Sequence, residues 1–328
     1  MPQELVVVIS LALIFALLNG IHDSSNIVAT MISSRAFHPR AALSLTAVAA
    51  FAGPFFLGLA VATTIGDQVV QPQALSLSVV AACLAGAIVW NLITWFFGIP
   101  SSSSHALIGG LVGAVVAGAG MQALKLNGLW IVLIALFTSP LLGFIGGFII
   151  TRVIYFLVRG ASPRVNVLFK RGQILTALAM AFSHGTNDAS KVMGIITLSL
   201  VIGGYLSDFS IPTWVIAASA GAFALGTSLG GWRLIRTLGG KFYKIRPLHG
   251  FSTQLTSSIV ILGASVFGLP VSTTQVVSSA IIGVGSSESL SKVRWSVAGD
   301  IMTGWLITIP LSALLSAGVY WLIVHWPG

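Results

Sequence analysis

Two short polar motifs each occur twice in this chain, and every copy interrupts a long apolar segment. GIHDSSN at 20–26 returns as GTNDASK at 185–191, so that the central Asp residues lie 165 residues apart. A Pro-Ser turn occurs as FGIPSSSSH at 97–105 and as FGLPVSTTQ at 267–275. Because both motifs recur in the same order at nearly the same offset, the chain is predicted to be internally duplicated.

The composition identifies a polytopic membrane protein. Of its 328 residues, 56% are hydrophobic and 7% are charged, with a mean hydropathy of +0.99, whereas a soluble domain carries about a quarter charged residues. Ten apolar blocks divide equally between the halves, at 4–33, 41–65, 74–97, 104–120, 128–157, 172–204, 212–231, 251–268, 270–285 and 295–324. The predicted fold class is therefore an all-α integral membrane protein.

The basic residues predict how the chain threads through the bilayer. Nearly all of them lie in four loops between apolar blocks, at 34–40, 158–171, 232–250 and 286–294. Because cytoplasmic loops are enriched in Lys and Arg, these loops are predicted to face the cytoplasm and both termini the outside of a cell inner membrane. The net charge of +9 thus reflects topology and indicates no nucleic-acid partner.

The domain organisation follows from the block count. Residues 1–157 form a first membrane repeat, 158–171 a cytoplasmic basic loop, and 172–328 a second repeat. Since five blocks is an odd number, the second repeat must enter from the opposite face, giving an inverted-topology repeat with broken helices. The short blocks at 104–120 and 270–285 begin at the Pro-Ser turns, so they are either full spans or arms of re-entrant hairpins.

The acidic motif is predicted to hold a coupling cation. A carboxylate within the bilayer is costly and usually faces a cavity or an ion pathway. Carboxylate, amide and hydroxyl oxygens beside unwound backbone carbonyls suit Na⁺ or a titrating proton rather than a soft transition metal. The predicted coupling-ion residues are Asp23, Asp188, Asn26, Asn187 and His22, with no other metal.

Two alternatives remain for this motif. Lys191 follows Asp188 by three residues, so these two side chains form a structural ion pair in the alternative interpretation. No basic residue lies within a turn of Asp23. His22 and His184 lack the spacing of a helical zinc motif, which favours a proton-relay or packing role over metal ligation.

The Pro-Ser turns are predicted to bind an anion. In each copy a Gly and a Pro end one helix, and several hydroxyl residues then open the next. Unpaired backbone N–H groups and the positive end of the helix dipole meet at such a position, so it attracts an anion without an Arg. The predicted substrate-binding residues are Ser101, Ser102, Ser103, Ser104, Ser272, Thr273 and Thr274. The alternative is an ordinary kinked helix with Ser as its N-cap.

The segment at 232–250 has three interpretations. Its sequence alternates basic and apolar residues, which is typical of an amphipathic surface helix or of a docking site for a cytoplasmic regulator. A plain solvated loop is the favoured interpretation. The sequence also leaves open whether the protein forms a homo-oligomer.

The chain resembles the PiT family of inorganic phosphate transporters at these motifs. The similarity lies in NGIHDSSN at 19–26, AFSHGTNDASK at 181–191, GLPVSTT at 268–274 and GIPSSSSHALIGG at 98–110. The resemblance implies secondary symport of phosphate with H⁺ or Na⁺, with the aspartates at the coupling site, the Ser/Thr turns at the anion, and no other cofactor. The chain departs from the family pattern at Gln275, Ala50 and Gln254, where relatives carry His, Glu or Asn, and an acidic residue.

Two rival functions follow from these departures and from the buried polar residues. The first is a sulfate permease of the same family. The second is an intramembrane enzyme that uses Asp, His and Ser, but an enzyme needs one asymmetric catalytic constellation. Here the polar residues are duplicated across the two halves, which favours a transporter and predicts that the protein is not an enzyme.

Overall fold

A computed structural model describes residues 3–57, 59–240 and 242–325, and 84% of the structure is helical. Thirteen α-helices are named here in chain order: α1 Gln3–Ser33, α2 Pro39–Phe56, α3 Leu59–Thr63, α4 Leu77–Phe97, α5 Ser103–Ala119, α6 Leu126–Leu157, α7 Val165–His184, α8 Ser190–Ile202, α9 Thr213–Leu229, α10 Trp232–Gly240, α11 Pro247–Val266, α12 Thr273–Glu288 and α13 Trp295–His325. Two π-helical turns, Thr64–Gln68 and Gly185–Ala189, follow α3 and α7. The all-α prediction is confirmed.

Several helices have the length and composition of membrane spans. In the described part of the chain these are α1, α4, α6 and α13, and the number rises to six if each of two bent pairs is one span. The bent pairs are α2 with α3 and its π-helical turn, and α9 with α10, at 72° and 70°. The protein is thus a multi-pass membrane protein with broken helices.

The basic loops all lie at one end of the molecule, called here the basic end. Ser34 donates a hydrogen bond to the Gln173 side chain, and Gln173 donates to the Pro247 carbonyl. Tyr155, at the end of α6, donates to Glu288 at the end of α12. At the opposite end, Val70 pairs with Leu124 in an isolated β-bridge, so 69–71 and 123–125 lie together there.

Two helical hairpins enter the protein from opposite ends. In the first hairpin, α4 begins and α5 ends at the end of the molecule that holds 69–71. In the second, α11 begins and α12 ends at the basic end. Their tips meet near the centre, where Ser272 Oγ donates to Ser102 Oγ at 2.8 Å and Ser104 Oγ donates to the Val271 carbonyl at 3.2 Å. Therefore α5 and α12 each run from the centre to one end, as arms of hairpins rather than full spans.

Each hairpin packs against the long helix of the other half of the chain. Helix α12 lies along α6, where Val276 and Ala280 contact the backbone at Gly143 and Gly147. Helix α5 lies along α13, where Gly109 contacts Ile309 and Ser312. These reciprocal contacts support the predicted inverted repeat, which stays a prediction.

The glycine that opens each acidic motif allows a close backbone approach. A Cβ at Gly20 would lie 2.1 Å from the Phe223 carbonyl oxygen, and one at Gly185 would lie 1.9 Å from that of Ala50. No side chain fits at such distances, so only Gly lets α1 meet α9 and the Asp188 turn meet α2 this closely.

Substituting these glycines should destabilise the protein. Gly20→Ala and Gly185→Ala force backbone against backbone, which costs about 1–3 kcal/mol or more, and we expect a lower Tm of the purified protein in detergent. Gly263→Ala in α11 is the matched control, because its Cβ would meet none of the described residues within 4 Å and Ala favours helix by about 1 kcal/mol. A Gly20→Ala variant as stable as Gly263→Ala would contradict this explanation.

The preferred interpretation of 232–250 as a solvated loop is wrong for its first half. Residues 232–240 form α10, and its apolar side chains Leu234 and Leu238 are buried against the body of the protein. Arg233 stays exposed and donates to the Phe96 carbonyl. The alternation of basic and apolar residues therefore encodes an amphipathic helix, because burial of its apolar stripe stabilises the helix.

Candidate functional site

All four motifs converge where the hairpin tips meet. The acidic motifs supply Asp23 and Asn26 from α1, Asp188 from a π-helical turn and Lys191 from α8. The Pro-Ser turns supply Ser104 and Thr274 from the first turns of α5 and α12. These six side chains, called here the central cluster, are all buried.

The first acidic motif forms a closed set of contacts with the tip of the second hairpin. Asn26 Nδ2 donates to Asp23 Oδ1 at 2.5 Å and to Thr274 Oγ1 at 3.0 Å, and Thr274 Oγ1 donates to Asp23 Oδ1 at 3.2 Å. Among the described residues, Asp23 Oδ2 and Asn26 Oδ1 have no hydrogen-bond partner. Two buried oxygens therefore remain as acceptors for a ligand.

The second acidic motif forms the corresponding contacts with the tip of the first hairpin. Lys191 Nζ donates to Asp188 Oδ1 at 2.6 Å, to Ser104 Oγ at 2.6 Å and to the Val271 carbonyl at 2.9 Å. All three ammonium hydrogens are thus used. The alternative of an Asp188–Lys191 ion pair is confirmed, and the coupling role of Asp188 stays a prediction.

The two acidic motifs bring three ligand groups close together. One ligand atom each from Asp23, Asp188 and His184 lies within 4.8 Å of the others. Asp188 Oδ2, Asn187 Oδ1 and His184 Nε2 have no hydrogen-bond partner among the described residues. Mostly oxygen ligands around two carboxylates fit a hard cation such as Na⁺ better than a soft metal. His184 was not among the predicted ligands.

Neither described copy of the acidic motif has the predicted unwound backbone, although one copy contains a wider helical turn. Asp188 lies in the π-helical turn Gly185–Ala189, whereas α1 is continuous through Asp23. A regular helix satisfies every backbone group within itself, which the bilayer interior favours. Ser24 and Ser25 donate back to the Ile21 and His22 carbonyls, so they supply no free hydroxyl hydrogen to the central cluster.

The Pro-Ser turns begin helices as predicted. Ser102 and Ser272 are the N-caps of α5 and α12, and each accepts a hydrogen bond from the backbone N–H three residues on, at 3.1 Å and 3.3 Å. Since the two N-termini meet, their partial positive charges converge on the same place. The arrangement suits an anion held between the hairpins.

The predicted anion residues are not all equally placed. All seven are buried, but Ser101 Oγ donates to Thr94 Oγ1 at 2.8 Å within its own hairpin. Ser102, Ser104, Ser272 and Thr274 contact the opposite hairpin or an acidic motif. Ser103 and Thr273 lie on the first helical turns.

Other predicted and unpredicted residues border the site. His22 is buried and hydrogen-bonds to the Asn91 backbone, so it does not join Asp23 in the three-ligand group. His105 and Gln275, which occupy matching positions after the two turns, approach each other at 3.5 Å between their Nε2 atoms. Lys191 and Gln275 were singled out from the sequence, whereas His105 was not, and aligning the two Pro-Ser turns position by position would have pointed to it.

Comparisons with known proteins place this fold and these motifs among transporters. Residues 19–316 match the "Phosphate transporter family". A "Probable low-affinity inorganic phosphate transporter" of Bacillus subtilis (strain 168) is 45% identical over 97% of this chain and 96% of its own, and one of Rhizobium meliloti (strain 1021) is 43% identical over 96% and 95%.

A solved structure shares the same fold. It is that of "The sodium-dependent phosphate transporter", which aligns with a TM-score of 0.90 and covers 99% of this chain and 100% of that one at 24% identity. The PiT resemblance is therefore confirmed by sequence, and the architecture by structure. This chain belongs to the phosphate transporter family.

Proposed function

We propose that the chain is a secondary symporter that carries inorganic phosphate together with H⁺ or Na⁺. The relatives named as inorganic phosphate transporters support the substrate. The observation that carries the proposal is the position of Lys191, whose ammonium bridges Asp188 of the cation ligands and Ser104 of the anion hydroxyls. Lys191 thus connects the proposed cation ligands with the proposed anion ligands.

Electrostatics explains why the two ions would travel together. The central cluster carries two carboxylates and one ammonium, a formal charge of −1, so it repels a phosphate anion until a cation binds. Two unit charges about 5 Å apart interact by about 3 kcal/mol at an effective dielectric constant of 20. Each ion therefore raises the affinity for the other by about a hundredfold, which is the thermodynamic basis of symport.

The hairpins offer a route for alternating access. They enter from opposite ends and meet at the central cluster, so each tip separates the cluster from one end of the molecule. Rocking one half against the other about this fixed site would open one side at a time. The predicted inverted repeat accounts for the two hairpins having equivalent roles.

Unpartnered acceptors favour phosphate over sulfate. Phosphate keeps a proton near neutral pH and can donate a hydrogen bond, whereas sulfate only accepts. Asp23 Oδ2, Asp188 Oδ2 and Gln275 Oε1 are buried acceptors without partners among the described residues. A site with such acceptors discriminates against an analogue that cannot donate to them. A sulfate permease is the alternative.

The intramembrane enzyme remains the alternative from another class. Its active site would be built from one set of residues, whereas both acidic motifs and both hairpin tips here contribute matching contacts. Turnover of a substrate by the purified protein without vesicles would support that alternative.

Uptake by reconstituted protein tests the proposal. Proteoliposomes should accumulate labelled phosphate when a pH or Na⁺ gradient is imposed, and applying the two gradients separately identifies the coupling ion. Unlabelled phosphate and arsenate, which share the proton, should suppress uptake, while sulfate should have little effect. Strong competition by sulfate with weak competition by arsenate would instead indicate a sulfate permease.

We also propose that the basic end faces the cytoplasm of a bacterial-type inner membrane. In a Cys83→Ala background, Ser162→Cys and Lys244→Cys, both exposed at the basic end, should resist an impermeant thiol reagent applied to intact cells. Ser207→Cys, exposed at the opposite end, should react and serves as the control. Labelling of the first two, with Ser207→Cys protected, would reverse the orientation.

A further inference from the structure

The third residue after the central Asp plays an equivalent part in both acidic motifs. It is Asn26 in the first copy and Lys191 in the second. Each donates to the Asp of its own copy and to a hydroxyl of the opposite hairpin, Thr274 or Ser104. These two hydroxyls are themselves matching residues of the Pro-Ser turns. The two positions are therefore structural twins.

These two residues differ in charge and in whether they keep a polar atom available for a ligand. The Asn26 amide is neutral and keeps an oxygen without a partner, among the described residues, beside Asp23. The Lys191 ammonium is positive, and its side chain is only 2% exposed. It donates hydrogen bonds to Asp188, Ser104 and the Val271 carbonyl, so no ammonium hydrogen remains for another acceptor. In the second copy, a permanent cation thus lies between the carboxylate and the hairpin, coordinated by oxygens as a bound metal ion would be.

We propose that Lys191 is a built-in cation that replaces one of the two mobile cations that a fully duplicated site would bind, so that a single H⁺ or Na⁺ accompanies each phosphate. The inference rests on the proposed function and adds the number of coupling ions to it. Charge agrees with this interpretation, since the Lys191 ammonium, paired with Asp188, and one mobile cation together balance the two carboxylates. Lys191 also holds positive charge 2.6 Å from Ser104, a predicted anion ligand.

The proposal predicts that an amide at position 191 creates a second mobile-cation site. Lys191→Asn copies the chain's own first-half residue and supplies a ligand oxygen without a charge. Lys191→Met removes the charge and supplies no oxygen, so it is the matched control. The wild-type protein and both variants are purified in detergent, and binding of labelled phosphate is measured by equilibrium dialysis over a series of Na⁺ concentrations at fixed pH.

The readout is the slope of the logarithm of phosphate affinity against the logarithm of Na⁺ concentration. We expect this slope to be larger by one for Lys191→Asn than for the wild-type protein, whichever cation the wild-type protein uses. Lys191→Met should bind phosphate at least about tenfold more weakly at every Na⁺ concentration, because the central cluster then has two carboxylates and no ammonium and repels the anion more strongly. An unchanged slope in Lys191→Asn, or wild-type affinity in Lys191→Met, would overturn the proposal.

Thermal stability provides a second readout that needs no phosphate. Na⁺ should raise the Tm of Lys191→Asn more than that of the wild-type protein, and it should not do so for Lys191→Met, because bound ligand stabilises only a protein that has the site. If Lys191→Asn fails to fold even in Na⁺, the mobile cation does not replace the ammonium and the proposal is wrong. If the wild-type protein binds no phosphate, the proposed function fails instead, and the comparison of Tm values still decides the role of Lys191.

Discussion

Asp23→Asn should reduce gradient-driven phosphate uptake by about a hundredfold or more while the protein still folds. The carboxylate is fully buried, accepts from Asn26 and Thr274, and keeps one oxygen without a partner among the described residues. An amide of the same shape preserves packing but removes the charge that attracts the cation, and about 3 kcal/mol of coupling is lost with it. Initial uptake rates in proteoliposomes measure the effect.

The matched control for this variant is Asp208→Asn. Asp208 is exposed at the end opposite the basic loops, so removing its charge should leave uptake within about twofold of wild type, as exposed charges contribute little. Normal transport by Asp23→Asn, at equal protein in the vesicles, would show that the coupling site lies elsewhere.

Asp188→Asn should damage the fold as well as transport. Its loss leaves the ammonium of Lys191, which is 2% exposed, without its anionic partner. Removing one member of a buried ion pair costs about 3–5 kcal/mol, so we expect a markedly lower Tm and poor recovery of folded protein. Asp23→Asn leaves no buried ammonium without its anionic partner, so its Tm should fall less. The difference in Tm between the two variants measures how much more the fold depends on Asp188 than on Asp23.

A double variant separates stability from function. Asp188→Asn combined with Lys191→Met removes both charges of the pair, and replacing a whole buried pair by neutral residues is often close to neutral for stability. We expect its Tm to return toward the wild-type value while uptake stays abolished. Recovery of uptake together with stability would mean that the pair has a structural role only.

The sequence predicted the parts of this fold that depend on duplication and on helix-end chemistry. Both Pro-Ser turns cap helices with Ser102 and Ser272 because a hydroxyl can satisfy a free N–H at any helix start. A shared site for Asp23 and Asp188 was predicted from their matching positions in the two motif copies, and the inverted repeat itself stays a prediction. The contacts that close the site could not be predicted, since the distance between Lys191 and Ser104 depends on how two distant hairpins pack.

Two local expectations failed for tertiary reasons. The region 232–240 became a packed helix because α1 offers a surface for it that a sequence window does not reveal. The backbone around Asp23 remained helical although its twin forms a π-helical turn, and the sequence signals in the two copies are nearly the same. His22 hydrogen-bonds to the Asn91 backbone on α4, a contact that the sequence does not reveal, and its coupling role stays a prediction.

The exchange of hairpins between the halves has a consequence for biosynthesis. Helix α5 lies against α13 and α6 receives α12, so the partner of each of these first-half helices belongs to the second half and is synthesised after it. The first half therefore enters the membrane with its hairpin lacking its final partner and with buried serines still unpaired. Docking of the hairpins must therefore wait until α12 and α13 have been made, and any truncation that removes α13 would leave the α4–α5 arm without its support.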